Sequence, residues 1–147
     1  SFAQALAHVL ANAPAKNVGA ASREQVVALV DATFGAEVGV KDALRQGVAE
    51  VVGSLVKLDA ALAAGVLQKH VVGGASGDVA LQSQIVRASL ERDAAAVHAL
   101  GFADEIVKSV MGWISQGSAI SRPAKEAREL IRDSDAWRTE AKAADWI

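Results

Sequence analysis

The chain has no cysteine and no tyrosine, and its aromatic residues are only three tryptophans and three phenylalanines. Without cysteine, disulfide scaffolds, zinc–thiolate sites and thiol nucleophiles are excluded, and the redox compartment stays undetermined. An excess of basic charge is missing too, because 15 Lys and Arg stand against 17 Asp and Glu, a net charge of −2. Neutralising phosphates takes a clustered basic surface, so no nucleic-acid partner is expected. Long hydrophobic runs are absent as well. The longest stretch free of Asp, Glu, Lys and Arg, Ser1 to Ala15, carries Gln4, His8, Asn12 and Pro14 and lacks a basic leader. Neither a transmembrane span nor a signal peptide is expected from it, and the expected setting is the cytoplasm or a soluble particle.

What the chain does have is alanine, 32 residues of it in 147, together with valine and leucine. A single domain of this length buries roughly 68–70 % of the surface its unfolded form exposes and needs no staple. Small apolar side chains let helices approach closely, but each contact covers little area, so stability must come from many contacts. That composition suits an object that is extended or assembled.

Helical periodicity runs through the whole sequence. Phe2, Leu6, Val9, Leu10 and Ala13 share one face of a first helix that Pro14 ends. Ser22 followed by Gln25 reads as a capping box opening a helix through Val26, Val27, Val30 and Phe34, with Gly35 as its stop. After a short turn, Glu37 to Val40, a helix opening at Lys41 or Asp42 carries Leu44, Val48, Val51, Leu55, Leu58 and Leu62 at spacings of four and three, the seam of helices packed at a shallow angle. Asp59 either caps a separate helix through Leu67 or lies within a longer one. The glycine-rich run Gly73 to Gly77 then leads to Asp78, a helix N-cap. From there Val79, Leu81, Ile85, Val86, Leu90, Ala94 and Val97 give a broad apolar face up to Leu100. Gly101 is the expected C′ residue, and Asp104 the expected cap of a helix through Ile106, Val107, Val110, Met111 and Ile114.

Beyond Gly117 the character changes. Residues 122–147 hold twelve charged residues, six of each sign, against twenty in the preceding 121. Ser121 or Arg122 is the expected cap of a helix with Pro123 in its first turn and a narrow strip of Ala124, Ala127, Leu130 and Ile131. Asp133 to Asp135 interrupts it, and a last helix carries Trp137, Ala141, Ala144 and Trp146. Helices this short and polar are marginal in water, so the segment must dock. Two of the three tryptophans lie in it, and tryptophan is a favoured interface anchor. Leu130, Ile131, Trp137, Trp146 and Ile147 are therefore the candidate interface residues.

Signatures of chemistry are few. Glu91, His98 and Glu105 lie seven residues apart, roughly 10 Å along a helix, too far to share a metal. The carboxylate–histidine pairs of di-metal bundles are missing. The glycine-rich run before Asp78 lacks the Lys-Ser or Lys-Thr of a phosphate-binding loop, and Asp78 puts negative charge where an anion would sit, so it reads as a connector. A helix-turn-helix over Ser22 to Val52 would set Arg23, Lys41 and Arg45 against Glu24, Asp31, Glu37, Asp42 and Glu50, a balance that repels phosphates.

The sequence thus predicts an all-α, single-domain bundle of about seven helices, with residues 1–121 as the bundle and 122–147 as an amphipathic, charge-rich arm that docks on the bundle or on a neighbouring subunit. The expected function is non-enzymatic: a structural, connector- or shell-type subunit of a homo-oligomer or larger particle, with no cofactor, metal, nucleic acid or membrane partner. The alternative is a small-molecule binder or enzyme with a pocket between bundle helices, lined by His98, Phe102, Met111 and Trp113.

Overall fold

The computed structural model describes residues 20–36, 41–73 and 77–147. The expected first helix of Ser1 to Pro14, the Glu37 to Val40 turn and the middle of the glycine-rich run lie outside the described residues. Within them the chain is all-α. Its helices are α1 (Ala20–Phe34), α2 (Asp42–Leu58), α3 (Ala60–Leu67), α4 (Val79–Ala99), α5 (Ala103–Ile114), α6 (Ser118–Arg132) and α7 (Arg138–Ala143). A π-turn, Gln68–Val72, prolongs α3, and a 3₁₀ turn, Asp135–Trp137, precedes α7.

The core is built on α2 and α4, which pack along each other, with α6 laid against α4 and α5 against α6. The seam read from the sequence supplies Val48, Val51 and Leu55, all fully buried, but Ala49, Val52 and Val56 are buried beside them. So α2 is enclosed on nearly all sides of its middle. Small residues allow this. A Cβ on Gly53 would stand 3.0 Å from the Ala88 carbonyl oxygen and 3.2 Å from the Ala88 Cβ, so glycine permits the close crossing of α2 and α4. Ser54 and Ser89, buried at the same level, donate their hydroxyls to the Val51 and Ile85 carbonyls at 2.7 Å and leave no unmet polar group.

Local signals set most boundaries. Asp59 does divide α2 from α3, its carboxylate accepting from the Leu62 N–H at 3.1 Å. Asp78 caps α4 in the same way through Leu81 at 3.0 Å. Gly101 takes the left-handed conformation at φ 95° and turns the chain into α5.

Five expectations need correction. The helix α1 already includes Ala20 and Ala21, so Ser22 stands within its first turn rather than at its cap. Phe102, not Asp104, is the N-cap of α5, and Asp104 lies in its first turn, where its charge meets the positive helix end. The helix α6 starts at Ser118 behind Gly117, which puts Pro123 inside it. The long helix α4 is not continuous: Asp93 leaves the helical region (φ −167°, ψ 96°) and its carboxylate accepts from the Ala96 N–H at 3.0 Å, recapping the second half. An aspartate followed by three alanines was the signal for that break. Met111, expected on the apolar face of α5, is 43 % exposed, and Trp113 is buried instead.

Candidate functional site

The charge-rich segment docks on its own bundle. Its first half is α6, whose Ala124, Ala127 and Ile131 are fully buried, so the composition boundary at residue 122 falls inside a helix of the core. Beyond Ser134 the short arm is held by Trp137, which is 0 % exposed and donates its indole N–H to the Ala94 carbonyl at 2.7 Å. That carbonyl lies one residue beyond the Asp93 break. The same indole meets His98 edge-on, ring centroids 5.1 Å apart, and the His98 Nε2 bonds the Glu140 carboxylate of α7. Ala141 is buried, and Leu130, Ala144 and Trp146 pack partly buried against the core.

Of the five candidate interface residues, Ile131 and Trp137 therefore lie inside the chain's own core, Leu130 and Trp146 are partly covered, and Ile147 is 54 % exposed. The space beside His98, where a pocket was the alternative expectation, is taken by Trp137 and Glu140. Sequence reading set His98 against Glu91 and Glu105, seven residues to either side, with Gly101 ending the helix before Glu105. Its partner comes from 42 residues away, and no local pattern carries that pairing.

The other described histidine is equally committed. His70, on the π-turn, bonds Asp31 of α1 through Nε2 at 2.6 Å and stacks on Phe34 at 4.3 Å between centroids. Lys69 reaches the second Asp31 oxygen at 3.0 Å. Burial alone would raise the Asp31 carboxyl, but the hydrogen bonds from His70 and Lys69 and their positive charge outweigh it and hold the group below its ordinary value. With Arg23 bonded to Asp59 at 2.8 Å, these ion pairs tie α1 to α3.

A polar cleft of about 380 Å³ opens between the start of α2, the middle of α4 and the first half of α6. Asp42 organises its floor. One carboxylate oxygen accepts from Gln84 Nε2 and the other from Gln46 Nε2, both at 2.9 Å. Because a carboxylate only accepts, Gln84 is fixed with Oε1 turned away, and that atom has no partner among the described residues and is closed off from solvent. Arg87 forms the wall, with Glu50 at 3.7 Å, Glu126 at 3.6 Å and Glu91 in direct contact. Fixed charges of both signs suit polar groups but aim no nucleophile or base at a common point. No group of three or more described His, Asp or Glu residues is arranged to hold a metal ion, and no described helix is long and apolar enough to cross a membrane.

A surface of another kind lies on α1. Val26 to Val30 are five consecutive apolar residues, which at 100° per residue wrap the whole helix. Val26 and Val30 are fully buried on the bundle, while Val27 is 37 % exposed and Ala28 faces outward. No family model, curated protein or solved structure matches this chain.

Proposed function

We propose that this chain is a non-enzymatic, self-associating subunit of a helical assembly. The observation that carries the reading is the all-round apolar run of α1. Apolar residues on opposite sides of a helix turn belong between two layers, and among the described residues the bundle buries the side that holds Val26, Val30 and Thr33 while Val27 and Ala28 are exposed. A second copy, laid across Val27 and Ala28, supplies the other layer in a closed two-fold contact. The ion pairs from Arg23 and Asp31 fix the angle of α1 on the bundle and so present that face in one orientation.

Light scattering on the purified chain tests it. The intact protein should show a mass above that of one chain, and Val27→Glu should return it to one chain with unchanged helical circular dichroism, losing only the stabilisation that association supplies. A single-chain mass for the intact protein at millimolar concentration sinks the reading. The polar cleft between α2, α4 and α6 favours a second one, a binder of a small polar molecule, since a 380 Å³ hollow with both charge signs can orient such a ligand. Calorimetric titration with small zwitterions and carboxylates, repeated on Arg87→Met, separates the two.

A further inference from the structure

Between α6 and the arm the chain changes direction over two residues. Asp133 is already helical (φ −86°, ψ −1°) and so is Arg138 beyond the 3₁₀ turn (φ −55°, ψ −45°), while Ser134 is extended (φ −100°, ψ 123°). Bringing ψ of Ser134 into the helical range and relaxing the 3₁₀ turn through Trp137 (φ −100°, ψ 8°) turns Ser118 to Ala143 into one helix and swings the arm off its groove. The sequence accommodates that helix. Ala127, Leu130, Ser134, Trp137, Ala141 and Ala144 follow one another at spacings of three, four, three, four and three, a continuous seam with Ser134 at its centre.

A swung-out arm in water exposes an indole that is fully buried in the closed form, and a six-residue helix does not hold itself together. The arm's contacts, however, do not depend on which chain supplies it. Trp137 meets Ala94 across 43 residues of sequence and Glu140 meets His98 across 42, so the groove of a second copy offers the same contacts. We propose that the chain forms a dimer by exchanging these arms, with Ser134 as hinge and each Trp137 seated beside the Asp93 break of the other copy. This rests on the self-association reading and adds to the α1 contact the segment that crosses between copies, the dimer needing both. A hinge this short favours exchange, because straightening it removes the turn that returns the arm to its own groove.

Two hinge variants measured by light scattering test the exchange. Replacing Asp133 and Ser134 together by alanine raises the helical tendency of the hinge and should increase the dimer-to-monomer ratio about five- to tenfold. Inserting three glycines between them breaks the continuous helix and gives the arm slack, so this variant should run as one chain with unchanged near-ultraviolet circular dichroism. The proposal is overturned if the double-alanine variant keeps the intact protein's ratio. It is also overturned if the glycine insertion leaves a dimer that Val27→Glu abolishes. That second outcome assigns the contact to α1, so self-association survives and arm exchange does not.

Discussion

The two ends of the described structure make opposite use of their side chains. At one end α1 carries apolar residues all round its middle, yet the bundle takes in Val26, Val30 and Thr33 while Val27 stays outside, and three ion-paired side chains, Arg23, Asp31 and His70, cross between α1 and its neighbours. At the other end the arm is rich in charge, yet Trp137 and Ala141 are completely enclosed. Hydrophobic content therefore does not rank the two segments by how firmly they are held. One large residue at a break in its partner helix, with its single polar atom satisfied, anchors more than five small ones spread around a cylinder.

The largest effect should come from breaking the arm. Trp137→Ala removes the indole and its bond to the Ala94 carbonyl, and should cost about 3–5 kcal/mol in denaturant unfolding. At the other end, Val30→Ala should cost about 2 kcal/mol by the same measurement, since two buried methyl groups leave a smaller gap. If the two values come out equal, the contrast between the ends is wrong. His98→Ala leaves Glu140 partly enclosed without its partner, for an expected loss of about 1–2 kcal/mol, and Gln at position 98 should recover part of it by donating to the carboxylate.

The smallest effect concerns the α1 ion pairs. Asp31 has a lowered folded-state pKa, so it stabilises the fold above its unfolded value of about 3.9, and the contribution disappears as pH falls through the folded value. Asp31→Asn should change stability at pH 7 by less than about 1 kcal/mol, as exposed pairs do, and should flatten the acid limb of the stability curve below pH 4. An unchanged acid limb in this variant would mean that other carboxylates carry the acid sensitivity.

Much of the fold was legible before any coordinates. Asp78 and Gly101 announced their roles, and the Asp59 cap was one of two readings open there, because a cap or a C′ glycine is decided by groups within four residues along the chain. The Asp93 break followed the same rule and was hidden only by the apolar stripe running past it on both sides. The candidate site was far less readable. Trp137 stood out as an anchor, but nothing near it in the chain indicates that its slot is beside Ala94, and neither His70 nor His98 shows its carboxylate partner locally.

The amino-acid order determined the all-helical class, the helix starts at Asp42 and Val79 and the need of the charged C-terminal segment for a dock, because helical period, capping and the marginal stability of short helices are short-range properties. It could not fix which surfaces are covered. That α2 is enclosed, that Val27 faces outward, and that the arm closes on its own α4 depend on contacts between residues some forty positions apart. Only the packed arrangement brings those residues together, because such contacts depend on the relative placement of whole helices rather than on any repeat along one of them.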